Sequence, residues 1–145
     1  MNLSLNIVSD PIWSYAYAGT RRPVVRGITL NLGDRLPDSD IEIYPRITFD
    51  FPLPEEVAPP WIGNRRIIES RGENIGQPIS WDRIDLSPNY ALLGRLLERV
   101  QGYICVEIVD ASSDKVLIAE RKPLAFMAPN EWYYEGINSN SFHEA

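Results

Sequence analysis

The stretch Gly102 to Met127, GYICVEIVDASSDKVLIAERKPLAFM, constrains the fold more than any other, because two long apolar strands and the turn between them can be read from it directly. Ile104, Val106 and Ile108 fall on one side of an alternating pattern and Tyr103, Cys105, Glu107 and Val109 on the other, the period of a pleated strand. Both sides are apolar enough to predict a central strand with one face against a second sheet. Asp110 to Lys115 are small, polar turn formers, so a hairpin loop follows. The return strand begins at Val116, and Pro123, which has no amide to donate to a ladder, marks a bulge or an edge within it. Leu124 to Met127 resume the apolar character, which predicts a long, bent last strand.

The rest of the chain reads as further short strands. Leu3, Leu5 and Ile7 alternate with Asn2, Ser4 and Asn6 up to a stop at Asp10-Pro11. Trp13, Tyr15 and Tyr17 alternate over Ile12 to Ala18, either a second strand or a continuation past a kink at Pro11. After a turn at Gly19 to Pro23, Ile28, Leu30 and Leu32 share one face of a strand. Ile41, Ile43, Ile47, Phe49 and Phe51 share another, with Pro45 on the same parity predicting an edge or a break. The proline density of Pro52 to Pro60 excludes a helix and predicts an extended surface connection, anchored at its far end by Trp61 and Ile62. Short strands are expected over Arg65 to Ser70 and Ile79 to Leu86, separated by a loop with Gly72, Asn74 and Gly76 as breakers. Ser87-Pro88 has the form of a helix start, and Leu92, Leu93, Leu96, Leu97 and Val100 form one apolar stripe, predicting a helix from Pro88 to about Val100. This pattern predicts a mainly β fold: an antiparallel β-sandwich of immunoglobulin-like type over residues 1–132, with one short helix crossing between the sheets, and a polar tail over 133–145. A closed barrel of similar strand count is the alternative.

At 145 residues the chain has the length of one domain and can bury about two thirds of its unfolded surface. Cys105 is the single cysteine, so no disulfide framework or cysteine metal cluster is available, and a reducing cytoplasm is the expected setting. No segment has the length of a membrane span and the N-terminus lacks the pattern of a signal peptide. The net charge of −6 opposes non-specific attraction to phosphate backbones.

The search for chemistry gives no catalytic signature. A nucleophile needs a base placed to take its proton, and the one histidine, His143, stands in the polar tail. Cys105 sits in the apolar strand, where a free cysteine acts as a small hydrophobe. The carboxylate pairs Glu55-Glu56, Asp38/Asp40 and Asp82/Asp85 lack calcium-loop or zinc spacing, and no phosphate-binding glycine loop is present. No cofactor or metal is therefore predicted, and the chain is not expected to be an enzyme. The candidate interaction residues are two arginine clusters, Arg21, Arg22 and Arg26, and Arg65 and Arg66 with Arg71, together with Trp61 and Trp132 as stacking or anchoring side chains. Against 20 acidic residues, surface ion pairing is the commoner fate of such arginines. An aromatic face of Trp13, Tyr15 and Tyr17 is a third candidate, for a small molecule or carbohydrate, provided these rings are exposed.

Three stretches together carry a resemblance: RPVVRGITLNL at Arg22 to Leu32, LSPNYALLGRLLERVQG at Leu86 to Gly102, and PLAFMAPNEW at Pro123 to Trp132. They resemble the N-terminal β-sandwich region of large bacterial multidomain proteins that carry a superfamily-1 helicase core and often a restriction-endonuclease-like C-terminal domain. The resemblance covers most of the chain and rests on apolar and turn patterns. In that family the chain continues after the Glu-Trp pair into a further domain and the ATPase, whereas this one stops thirteen residues past Trp132. No catalytic residue of the family can be carried over. The resemblance implies an accessory module, a segment of a longer protein or a stand-alone relative, that positions a protein partner or packs on an adjacent domain; contact with nucleic acid is the alternative that the arginine clusters and Trp61 offer.

Overall fold

A computed structural model describes residues 2–14, 24–34, 36–72, 76–96 and 98–127. Its strands are β1 (Ser4–Ser9), β2 (Ile12–Ser14), β3 (Val25–Asn31), β4 (Ile41–Asp50), β5 (Trp61–Ile62), β6 (Arg66–Ile68), β7 (Ile79–Trp81), β8 (Val100–Asp110) and β9 (Lys115–Met127), with one helix, α1 (Tyr90–Gly94), between β7 and β8. They form two sheets: a three-stranded antiparallel sheet in the order β1-β3-β7, and a six-stranded sheet in the order β2-β9-β8-β4-β5, with β6 also on β4. The larger sheet curls into a half-barrel. Both contribute to one hydrophobic cluster, in which Ile28 and Leu30 of β3, Ile43 and Ile47 of β4, Ile104, Val106 and Ile108 of β8 and Phe126 of β9 are fully buried.

The hairpin has the predicted alternation. β8 lies between β9 and β4, with its three isoleucine and valine side chains inward, while Tyr103 is exposed and Cys105 and Glu107 are half-buried. The loop is shorter than expected: Asp110 pairs with Lys115, leaving Ala111 to Asp114 as the turn. Asp114 closes it with φ of 57° and its amide donates to the Asp110 carbonyl at 2.8 Å. Aspartate tolerates this left-handed conformation better than most side chains. The bulge lies at Ile108/Val109, away from Pro123. The Ala125 amide donates to Pro11 O, so Pro123, two residues earlier, turns its donor-less nitrogen to the same side, which β2 reaches only from Ala125 onward and along which β9 still runs as an edge.

Pro45 shows why a proline can sit inside a paired strand. Glu42 O accepts from Ala111 on the β8 side and Pro45 O accepts from Gly63 on the other, so Pro45's nitrogen faces β5 and β6. There the partner is split into two short strands, β6 against Ile41 to Ile43 and β5 against Arg46 and Ile47. The proline is buried and β4 is not an edge: it pairs with β8 over Ile43 to Asp50.

Four expectations are corrected. The fold is not purely antiparallel, because the chain changes sheets at Pro11 and β2 runs parallel to β9. The remainder of the second predicted strand, Tyr15 to Ala18, lies outside the described residues. The helix is one short segment, not a run to Val100. Its start is set by Asn89, whose Oδ1 accepts from the Leu92 amide at 3.1 Å, not by Ser87. It ends where Arg95 N turns back to Leu92 O, and Val100 is taken by β8, opposite Phe126. The Pro52 to Pro60 connection is only partly superficial, since Val57 and Ala58 are buried and Val57 O accepts from Asn89 N at 2.7 Å. The predicted strand at Ile79 stops at Trp81.

Side chains tie both seams between the sheets. On one side Lys122 Nζ of β9 donates to Ile7 O of β1 at 2.9 Å. On the other, Arg66 Nη1 of β6 donates to Ser80 O of β7 at 2.9 Å.

Candidate interaction site

The second seam, where β5 and β6 meet β7, gathers part of the predicted surface. β5 begins with Trp61, whose ring folds against the backbone of Gly63 and the ring of Pro45. A Cβ on Gly63 would stand 2.6 Å from Pro45 Cγ and 2.7 Å from the Trp61 indole, so only glycine fits between them. Trp61 is half-buried for this reason. Opposite it, Trp81 is buried and its Nε1 donates to Asn64 O at 2.9 Å, a bond that ties β7 to the loop between β5 and β6. The Arg66 guanidinium lies 6.0 Å from the centre of the Trp81 ring while donating to Ser80 O. Trp61, Asn64, Arg66, Trp81 and Arg83 line one groove of about 260 Å³.

The two arginine clusters are not brought together by any described contact. Arg65 pairs with Glu42 at 3.1 Å and lies 6.0 Å from the Tyr44 ring. Arg26 pairs with Asp10 at the end of β1 and lines none of the seam grooves. Arg21, Arg22 and Trp132 lie outside the described residues, as does His143. Trp13, the first ring of the proposed aromatic face, is buried in the core, stacked on Phe126 at 4.9 Å and tilted against Phe49 at 5.6 Å, which removes it as a binding platform; Tyr15 and Tyr17 lie outside the described residues. Of the carboxylate pairs, Glu55 is paired with Arg95 at 3.0 Å and Asp40 accepts from both the amide and the hydroxyl of Ser70. These bonds, the amide first and then the hydroxyl, hold the Asp40 carboxyl below its usual 3.8 and fix the chain just after β6. Among the described residues, no group of three histidine, cysteine or acidic side chains is placed to hold a metal ion.

Sequence reasoning did not single out Trp81, Arg83 or Ile67, and it cast Ile62 as an anchor of the proline-rich connection, whereas that side chain faces solvent. Ile62 and Ile67 are the most exposed large apolar side chains described, 62% and 55% accessible. Ile62 sits opposite Arg46 and Ile67 opposite Glu42, both on the outer side of the larger sheet. Two- and three-residue strands are too short for an alternation to be read, so neither side chain could be assigned to a face. Trp81 had a usable signal, its period-two spacing from Ile79. A second groove, about 320 Å³, lies around Pro11, Tyr103 and Pro123. Its rim is stiffened by Arg121, which stacks 4.0 Å from the Tyr103 ring and pairs with Asp50 at 3.1 Å.

No helix among the described residues is long and apolar enough to cross a membrane. No protein-family model matches this chain, and no curated protein is significantly similar to it.

Proposed function

We propose that this chain is a non-catalytic interaction module of immunoglobulin-like sandwich type, an accessory domain of, or relative of one in, a helicase-like nucleic-acid-processing protein, working in the cytoplasm. Its ligand is a protein partner or an adjacent domain. The observation that carries this is the pair of exposed isoleucines, Ile62 and Ile67, on the two short strands at the open side of β4, beside grooves that run along the seam. Apolar side chains presented at a sheet edge suit a polypeptide partner better than a charged polymer. The helicase context comes from the sequence resemblance alone. The purified protein is expected neither to hydrolyse ATP nor to cut DNA; either activity, retained through repeated chromatography, would overturn the proposal.

A second function, contact with nucleic acid, is favoured by one observation: Trp61, Arg66 and Arg83 line the same groove. Stacking rings beside guanidinium groups suit a single strand. Fluorescence anisotropy with single- and double-stranded oligonucleotides at about 50 mM salt, where phosphate contacts are strongest, decides it. Binding that is lost in Arg83→Glu would replace the protein-partner reading, and its absence removes this one.

A further inference from the structure

We infer that the outer edge of β6 pairs with the same edge of a second copy of this chain, joining the two larger sheets across a two-fold axis at Ile67. This rests on the proposal that the seam is an interaction surface, and it names the occupant.

The backbone supplies the first condition. Ile41 and Ile43 face β6, because Glu42 between them faces β8, so Arg66 and Ile68 spend their amides and carbonyls on β4. The N–H and C=O of Ile67 therefore point away from β4, and among the described residues no strand pairs with that side of β6. A groove of about 470 Å³ lies alongside, with Arg65, Ile67 and Glu69 on one wall and Gln77 and Ile79 on the other. By contrast, the Arg66 guanidinium already occupies the edge carbonyl of β7, which protects that strand from addition.

The sequence of the edge supplies the second. Antiparallel pairing about Ile67 places Ile67 opposite its own copy, Arg66 opposite Ile68, and Arg65 opposite Glu69. Arg65, Ile67 and Glu69 share one face, so the register creates two Arg–Glu pairs flanking an isoleucine contact. A segment reading basic, apolar, acidic at alternate positions is self-complementary when reversed, which is what a two-fold interface requires. A third observation agrees. Glu69 Oε2 is shielded from solvent and has no hydrogen-bond partner among the described residues, while Arg65 is held by an exposed pair with Glu42 and a contact with the Tyr44 ring, both of which rearrange at little cost. The edge is short, so the dimer belongs to the weak class of interfaces.

Sedimentation equilibrium of the intact chain, from about 10 µM to about 1 mM at about 150 mM salt, where screening limits the repulsion of two acidic chains, tests this. A reversible monomer–dimer equilibrium is expected. Ile67→Pro removes the outward amide, which gives nothing to β4, together with the isoleucine side chain at the axis, and should abolish the dimer while the far-ultraviolet dichroism stays native. Arg65→Glu and Glu69→Arg should each raise the dimer Kd about tenfold, and the double exchange should bring it back to within about threefold. The charge series stands even if the proline variant loses its fold. A monomer at every concentration, a dimer indifferent to both the proline and the charge exchanges, or a double exchange that fails to restore association would each overturn the inference. None of these results bears on ATP hydrolysis or oligonucleotide binding, so the two proposals fail separately.

Discussion

Gly102, just inside the start of the central strand, and Asp110, at its end, each constrain it by a different means. A Cβ on Gly102 would collide with the Asp50 carbonyl and approach the Phe51 ring to 2.6 Å, backbone and packed aromatic that have little room to move. Gly102→Ala should therefore cost about 1–3 kcal/mol, seen as a lower urea midpoint at unchanged slope. At the other end the Asp110 carboxylate accepts from the hydroxyl and the amide of Ser112 at 2.8 and 3.0 Å, and these bonds, the hydroxyl first, hold its carboxyl below the usual 3.8. A depressed carboxyl stabilises the fold above its unfolded value and loses that contribution as pH falls through the folded value. Asp110→Asn should thus unfold at lower urea than the native chain at about pH 6 and match it near about pH 2. Asp110 is legible in the sequence as a turn former. The close approach that makes Gly102 irreplaceable is not, because Asp50 and Phe51 are some fifty positions away and reach it only through the β4–β8 register.

Periodicity was a reliable guide to the long strands and a poor one to the helix. Ile104, Val106 and Ile108 read as one face and are one face, with no exposed surface. Val106→Asp places an unpaired charge where nothing can solvate it, at a cost comparable with the whole stability of a domain, about 5–15 kcal/mol. Loss of far-ultraviolet strand signal and of a compact elution profile is expected, and a folded, soluble variant would show that the core is centred elsewhere. The stripe from Leu92 to Val100 fits helical spacing equally well, yet the chain leaves the helix after Gly94. A short helix has little intrinsic stability, and strand pairing of Val100 with Phe126 outcompetes its last turns. In the same way Pro45 announces a break but not its location: the break falls in the neighbour, as two short strands, and leaves β4 whole.

For the molecule as a whole, a shared apolar core joins the layers, and at each of two seams polar groups far apart in sequence add a tie. Lys122 and Ile7 are 115 positions apart, and Trp81 and Asn64 are 17 apart across the rim. Lys122→Met and Trp81→Phe each leave a carbonyl without its donor and should cost about 1–3 kcal/mol. In native-state hydrogen exchange the first should speed exchange in β1 and the second in β7, with the β4–β8–β9 centre little changed. Such long-range ties are why the candidate surface was only half legible: Arg65, Arg66 and Trp61 were named from the chain, but Trp81 and Arg83 join them only because β7 crosses to face β5 and β6. The switch of sheets at Pro11 has a mechanical counterpart. Because β2 runs parallel to β9, a pull between the two ends of the described chain slides Ile12 to Ser14 along Ala125 to Met127 and loads their backbone bonds together, whereas an antiparallel pair would unzip one bond at a time. A few residues of parallel pairing thus set a resistance to shear at the very junction where the chain passes from one layer to the other.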